Sequence, residues 1–283
     1  MMIEIYLLEQ LKAFYEHGTL SAAAEHLHLA QPSLSRSMQK IEDILGVKLF
    51  ERQKNRLRLN EAGNLAAKYA IQILEEEKEM EERIKAFDRS LHTISIGSCA
   101  PGPLLLLLPQ ASSVFSNMTL SSDVNSEEEL LKGLENDRYG IIILNHPLES
   151  DHFVCKEYTT EQLYLSVNHF HPAASLKKIS FGEMNGQNFI MHSNVGFWNK
   201  IVHEKMPQSK FYLQDDIDAV GELQAASDLP SFATDITLRM LASRRNNRVT
   251  VPFSNPEAFA NYYLICQKEN FSRFKRIFKE IIS

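Results

Sequence analysis

Polar and basic side chains follow one another closely between Gln31 and Lys40, in a pattern that a helix would present on one side. Four apolar residues recur there at steps of four, three and four: Leu34, Met38, Ile41 and Leu45. On a helix they fall within a sector of roughly 60°, and the polar side chains point away from it. Amide, hydroxyl and guanidinium groups read base edges and phosphates. The spacing therefore predicts duplex recognition, with candidate contacts at Gln31, Pro32, Ser33, Ser35, Arg36 and Lys40.

The elements around this segment predict a helix-turn-helix. Pro32 suits a first turn, whose amides have no partner within the helix, and Gly46 ends the helix. Upstream, "GTLSAAAEHLHLA" predicts a shorter helix capped by Ser21, and we include Ser21 among the candidate DNA contacts. A few residues, about 28–30, separate the two helices, and a third amphipathic helix precedes them. This order is typical of a helix-turn-helix whose second helix enters a DNA groove.

A basic hairpin is predicted after these helices. Leucines and arginines alternate at residues 56–59, the period of a half-buried strand, and residues 53–55 supply the turn. Its candidate DNA contacts are Arg52, Lys54 and Arg56. Residues 31–60 hold seven basic and three acidic side chains, a net charge of +4 in a chain of −6. Such a local patch indicates a DNA-binding unit, although a basic amphipathic helix taken alone is equally typical of a solvated surface.

Length and composition limit the remaining possibilities. With 283 residues and 44% hydrophobic residues, we expect two or three domains. The acidic balance argues against a general polyanion binder. Three distant cysteines without CxxC spacing predict reduced thiols, and neither a secretion signal nor a membrane span is visible. We therefore expect a cytoplasmic protein without membrane contact.

A long acidic helix is predicted for residues 61–89. Ala66, Ile73, Met80 and Phe87 recur every seven residues, which indicates pairing with a second subunit. A solvated helix lying on its own C-terminal domain is the alternative. The expected domains are 1–60 (winged helix-turn-helix), 61–89 (linker and dimerisation) and 90–283 (effector binding), with lobe one at about 90–161 and 268–283 and lobe two at about 162–267.

The C-terminal part alternates strand-like and helix-like stretches, which predicts an α/β domain. Two crossings between its lobes would form a cleft, where ligands bind beyond strand ends and near helix N-termini. We expect a small effector there, with anions among the candidates; ordinary helix caps and turns are the alternative. The candidate effector contacts are Ser98, Cys99, Ala100, Pro101, Asn145, Ser193, Asn194, Trp198 and Thr234.

Signatures of catalysis are missing from the sequence. There is no HExxH, no G-x-S-x-G and no glycine-rich phosphate loop. We therefore expect no enzyme activity, no catalytic or metal-ligating residues and no cofactor. Redox sensing through Cys99 remains an alternative.

The first sixty or so residues resemble the DNA-binding domain of LysR-type transcriptional regulators. The features that carry the resemblance are Phe14, Ala23-Ala24, Leu27, Gln31-Pro32, Ser35-Arg36, Glu42, Leu45-Gly46, Leu49-Phe50, Arg52, Leu59 and Ala62-Gly63. The resemblance implies a winged helix-turn-helix, a linker helix and a two-lobed α/β effector domain resembling periplasmic binding proteins. It also implies dimers or tetramers on double-stranded promoter DNA.

Three departures from the family pattern stand out. Ala30 replaces the usual Ser or Thr cap, Asn60 replaces Thr before the linker, and no glycine pair precedes Thr234. Two readings compete with a regulator controlled by an effector: a solute-binding protein with an inert dimerisation module, and a regulator whose cleft binds nothing.

Overall fold

The structure, a computed structural model, describes residues 2–53, 56–240 and 248–280. The side chains of Arg52, Gln53, Arg56 and Glu280 lie outside this description. The chain divides into two compact units, Met1–Lys85 and Ala86–Ser283. Their boundary falls inside one long helix.

The first unit is a winged helix-turn-helix. Its helices are α1 (Ile5–His17), α2 (Leu20–His26) and α3 (Gln31–Leu45), followed by the strands β1 (Phe50–Gln53) and β2 (Arg56–Leu59) and by the start of α4 (Glu61–Ser90). β1 and β2 pair antiparallel. One face of each helix enters a common core, where the ring of Phe14 meets that of Phe50 edge to face at 5.2 Å. Burial of these apolar faces holds the three short helices together.

Two expectations for this unit were wrong in detail. The cap of α2 is Thr19, whose hydroxyl accepts from the amide of Ala22 at 3.2 Å, and Ser21 lies within the helix instead. Leu45 was assigned to the core stripe, but 42% of it is exposed. It is the last helical residue before Gly46, whose φ of +68° turns the chain away from the core. The other three members of the stripe are buried.

The second unit is a two-lobed α/β domain built on one continuous mixed sheet. Its strands are β3 (Thr93–Ser98), β4 (Thr119–Val124), β5 (Ile141–Leu144), β6 (Phe153–Asn168), β7 (Asn188–His192), β8 (Lys210–Gln214), β9 (Ser231–Thr234), β10 (Arg248–Pro252) and β11 (Phe259–Gln267). The helices are α5 (Pro101–Val114), α6 (Glu127–Glu135), α7 (Phe181–Met184), α8 (Trp198–Lys205), α9 (Ile217–Ala226), α10 (Asp235–Met240) and α11 (Phe271–Glu280).

Two strands join the lobes. β6 and β11 pair antiparallel along the whole of β11. Among the described residues the sheet runs β4-β3-β5-β11-β6-β9-β7-β8, with β10 also on β6. β3 and β5 are parallel, so their carboxyl ends meet at one edge beside the first residues of α5. β5 is buried along its whole length, as expected for a strand covered on both faces. No helix among the described residues has the length and apolar character needed to cross a bilayer.

Candidate DNA-binding surface and effector cleft

The outer face of α3 carries the predicted DNA contacts. Gln31, Pro32, Ser33, Ser35 and Arg36 are all exposed, in the first two turns of the helix. Ala30 provides no side-chain cap, so the amides at this end are not held by a capping side chain. An exposed helix start that carries polar side chains is the geometry that enters a major groove.

Before α3 the chain turns tightly at His28, whose φ is +54°. The left-handed conformation is unusual for a residue other than glycine, and the amide of Leu29 reaches back to the carbonyl of Ala24 at 2.8 Å. This turn fixes the direction in which α3 leaves α2.

Two basic side chains on this face differ in how they are held. The Nε of Arg36 donates to the carbonyl of Pro32 at 3.3 Å, which aligns the guanidinium along the helix. Lys40 instead reaches α1, with its Nζ 2.7 Å from a carboxylate oxygen of Glu4 and 3.0 Å from the hydroxyl of Tyr6. The hydrogen bonds to Glu4 and Tyr6 raise the pKa of Lys40. Its charge is partly engaged within the protein, so Arg36 is the stronger candidate for a base or phosphate contact.

The wing is fastened to α3 by a buried carboxylate. Glu42 accepts hydrogen bonds from the amides of Leu49 at 2.8 Å and Phe50 at 3.2 Å, and from the Nζ of Lys48 at 2.7 Å. These bonds hold the start of β1 against α3. In the hairpin, Arg58 lies opposite Glu51 and is exposed.

Of the predicted wing contacts, Lys54 lies outside the described residues. Only the backbones of Arg52 and Arg56 are described.

The linker helix α4 begins at a side-chain cap, because the Oδ1 of Asn60 accepts from the amide of Gly63 at 2.8 Å. Further along, one side of the helix exposes a row of large apolar side chains: Leu65, Tyr69, Ile73, Met80, Ile84 and Phe87. Exposed apolar rows of this length are characteristic of protein interfaces. Ala66, which was predicted in this row, is half-buried against the core of the first unit instead.

At the cleft, the first predicted segment lies between β3 and α5. Ser98 is fully buried, and its hydroxyl donates to the carbonyl of Ala100 at 2.6 Å. Cys99 and Ala100 are buried as well, and Pro101 is the first residue of α5. The serine hydroxyl thus closes its own turn.

The predicted contacts at the other end of the cleft lie in separate segments of the chain. Asn145 follows β5, and its backbone faces the thiol of Cys99. Ser193 donates to the Oδ1 of Asp215 at 2.5 Å. Asn194 is exposed, and its amide bonds the ring of His192 at 3.0 Å. Ser193 and Asn194 are therefore held by residues around the ends of β7 and β8.

Trp198 and Thr234 meet at a carboxylate that the sequence analysis missed. Glu161, on β6, is 2% exposed. Its Oε2 accepts from the indole Nε1 of Trp198 at 3.1 Å and from the hydroxyl of Tyr262 at 2.5 Å. Burial raises the pKa of Glu161 above its ordinary value, although hydrogen bonds from Thr234, Tyr262 and Trp198 oppose the shift.

The two lobes also touch directly. The amide of Phe197, in lobe two, donates to the carbonyl of Cys99, in lobe one, at 2.9 Å. Gly196 has a φ of +66°, and a Cβ added there would overlap that same carbonyl oxygen. Only glycine permits this approach, so Gly196 sets how closely the lobes come together.

Two of the three thiols, those of Cys99 and Cys266, offer little nucleophilic character at neutral pH. Burial raises the pKa of Cys99 and of Cys266 to about 12 in each case. The thiol of Cys155 accepts a hydrogen bond from the amide of Leu148 at 3.4 Å. A thiolate is the reactive form of cysteine, and at Cys99 and Cys266 it is scarce.

Both units match models of known protein families. Residues 5–64 match "Bacterial regulatory helix-turn-helix protein, lysR family", and residues 89–280 match "LysR substrate binding domain". A "Hydrogen peroxide-inducible genes activator" of Dickeya chrysanthemi is 28% identical over 188 residues, which are 65% of this chain and 62% of that protein. A "RuBisCO operon transcriptional regulator" of Allochromatium vinosum is 27% identical over 198 residues, 68% of this chain and 64% of that protein. The matched stretch thus spans less than two thirds of these relatives' length.

Solved structures show the same fold. A full-length OxyR variant from Pseudomonas aeruginosa superimposes with a TM-score of 0.55 at 21% identity, covering 100% of this chain and 95% of that one. Full-length BenM gives a TM-score of 0.51 at 20% identity, with coverage of 99% and 95%. With both family models matched in order along the chain, this protein belongs to the LysR family of bacterial regulatory proteins.

Proposed function

We propose that this protein is a sequence-specific transcriptional regulator that binds double-stranded promoter DNA in the cytoplasm and is controlled by a small-molecule effector in the cleft between its lobes. The observation that carries the proposal is the outer face of α3. There Gln31, Ser33, Ser35 and Arg36 are exposed together on a helix whose opposite face is buried. No catalytic role is assigned to any residue.

Footprinting on the DNA next to the protein's own coding region tests the proposal. Arg36→Ala should weaken binding by about 1–3 kcal/mol if the guanidinium makes a bidentate base contact. The matched control is Arg138→Ala, which removes an exposed arginine from the second unit. Protection by the wild type that disappears only in Arg36→Ala supports DNA reading by α3. Equal affinity of both variants for the promoter contradicts it.

The apolar row on α4 supports self-association as a dimer or tetramer. Six large apolar side chains are exposed along one side of α4, and a second copy is expected to cover them, because pairing of two helices in a coiled coil buries such rows. Paired subunits would place two copies of α3 on successive half-sites.

The names of several relatives raise peroxide sensing as a second candidate function. Such sensing needs a reactive, low-pKa thiolate, whereas burial raises the pKa of Cys99 and Cys266 to about 12. We therefore favour a non-covalent effector. Promoter affinity that is unchanged by hydrogen peroxide is the expected result, and a peroxide response abolished by Cys99→Ser would establish the alternative.

A further inference from the structure

The hydroxyl groups expected to hold an anionic effector are already engaged. Ser98 donates to the carbonyl of Ala100 at 2.6 Å, and Ser193 donates to the carboxylate of Asp215 at 2.5 Å. The hydroxyl of Thr234 has acceptors within reach in Thr237 and in Glu161. A hydroxyl carries one proton, so these groups cannot donate to a bound anion without losing a bond inside the protein.

The buried centre of the cleft is occupied by a hydrogen-bond acceptor, the carboxylate of Glu161. The groups facing the Glu161 carboxylate are the donors of Tyr262, Trp198 and Thr234, together with the second carboxylate of Asp235. A Cβ at Gly102, in the first turn of α5, would overlap the Glu161 carboxyl. The carboxyl is thus packed against the helix end where an anion was expected. A second negative charge placed beside this buried carboxylate would be disfavoured.

Trp198 fills the remaining space with a planar donor. Its indole is 4% exposed and lies 4.4 Å, centroid to centroid, from the ring of Phe197, while Tyr262 meets Phe197 edge-on at 6.2 Å. The N–H of the indole points at Glu161. A flat group with an N–H donor, in tilted contact with the ring of Phe197, therefore already occupies the centre of the cleft.

We propose that the effector is a planar, cationic nitrogen base that replaces the Trp198 indole at Glu161, and that Glu161 is the residue that selects it over carboxylates. The proposal rests on the effector-binding role proposed above and specifies the ligand class for that site. A cation supplies the counter-charge that Glu161 lacks among its neighbours, and its flat ring takes the slot between the aromatic side chains. A carboxylate of the same shape meets the negative Glu161 carboxylate there instead.

Benzamidine and benzoate make a matched pair of probes, since they share shape and differ in the sign of their charge. We would measure their affinity by calorimetry for full-length Trp198→Ala, which vacates the slot beside Glu161. A charge-assisted bond contributes about 1.5–3 kcal/mol, so benzamidine should bind roughly 10- to 100-fold more tightly than benzoate. Adding Glu161→Gln to the same variant should remove that preference.

Benzoate binding as tightly as benzamidine overturns the proposal, and so does benzamidine binding that Glu161→Gln leaves unchanged. If Trp198→Ala does not fold, the wild type gives the same answer, because Trp198 is the protein's one tryptophan. Benzamidine should then shift its emission to longer wavelength, and benzoate should not; no shift with benzamidine contradicts the proposal.

Promoter footprinting separates this test from that of the proposed function. A chain that binds DNA but prefers benzoate refutes the ligand class alone. A chain that prefers benzamidine but binds no promoter DNA refutes the proposed function alone.

Discussion

Glu42 provides a sharp prediction, because a single buried carboxylate connects α3 to the wing. It is 6% exposed, and its Oε1 accepts from the amides of Leu49 and Phe50. Lys48, its charged partner, is 71% exposed at the side chain. Replacing Glu42 by Ala therefore removes the acceptor for two backbone amides, of which that of Leu49 is buried.

A buried donor left without a partner costs about 1–3 kcal/mol. With one such amide buried and the other partly buried, Glu42→Ala should destabilise the wing attachment by about 2–5 kcal/mol. Glu42→Gln keeps an acceptor oxygen and loses only the charge, so its effect should be about 1–2 kcal/mol. Lys48→Ala should have little effect, because the lysine is solvated.

Hydrogen exchange of the full-length chain, read by mass spectrometry, measures the stability of the wing attachment locally. Peptides that contain Leu49 and Phe50 should exchange roughly 100-fold faster in Glu42→Ala, since about 1.4 kcal/mol corresponds to a factor of ten. Glu42→Gln should give a smaller increase and Lys48→Ala almost none. Equal acceleration in Glu42→Gln and Glu42→Ala, or an effect of Lys48→Ala as large as either, would refute the reasoning.

The same carboxylate predicts a pH dependence. Burial by itself would raise the pKa of Glu42, but the hydrogen bonds from Lys48, Leu49 and Phe50 outweigh it and leave the pKa below its ordinary value. A lowered folded-state pKa means that this stabilisation is present above the unfolded value of about 4.3 and is lost as the pH falls through the folded pKa. The intrinsic rate of amide exchange itself falls on acidification, so the quantity to compare is the protection factor at Leu49 and Phe50. That factor should fall with pH more in the wild type than in Glu42→Gln.

Three further changes have defined outcomes. Gly196→Ala should separate the lobes and shift the tryptophan emission to longer wavelength. Gly186→Ala is the control, because Gly186 also has a positive φ but lies in open space, and it should leave the emission unchanged. Equal emission from both variants would contradict the contact between the lobes at Gly196. Arg248→Lys should lower the thermal midpoint, because its guanidinium donates to carbonyl oxygens of β6, α9 and the loop before β9; an unchanged midpoint would show that one ammonium suffices. Ile84→Glu should weaken self-association in sedimentation while Lys78→Glu, on the opposite face of α4, should not; equal effects would argue against the apolar row.

The DNA-binding unit could be predicted closely because its signals are local. The apolar stripe of α3, the glycine at its end and the alternation in the hairpin each act within a few residues. The structure places them as expected, with the exception of Leu45 in the stripe. The errors also have local causes. Both Thr19 and Ser21 are competent caps, and only the turn geometry selects Thr19. Leu45 continues the stripe in sequence, but the helix ends before the core can cover it.

The cleft could be predicted only in outline, since its contacts are long-range. The predicted residues Cys99, Trp198 and Thr234 do converge, but on Glu161 and Tyr262, which are far from them in sequence. The one available signal was a lone carboxylate in the strand-like stretch "YTTEQLYLSVN". Nothing in that pattern states whether the side chain faces solvent or the interior, because a strand exposes alternate residues to opposite faces.

The salt dependence of promoter binding tests the central claim most directly. If the basic face of α3 and the wing contact DNA phosphates, the logarithm of the affinity should fall linearly with the logarithm of the salt concentration, with a slope of about −0.9 for each phosphate neutralised. We predict a steep slope for the wild type that becomes shallower in Arg36→Ala. A flat salt response, or a slope that Arg36→Ala leaves unchanged together with the affinity, would contradict DNA binding through this surface.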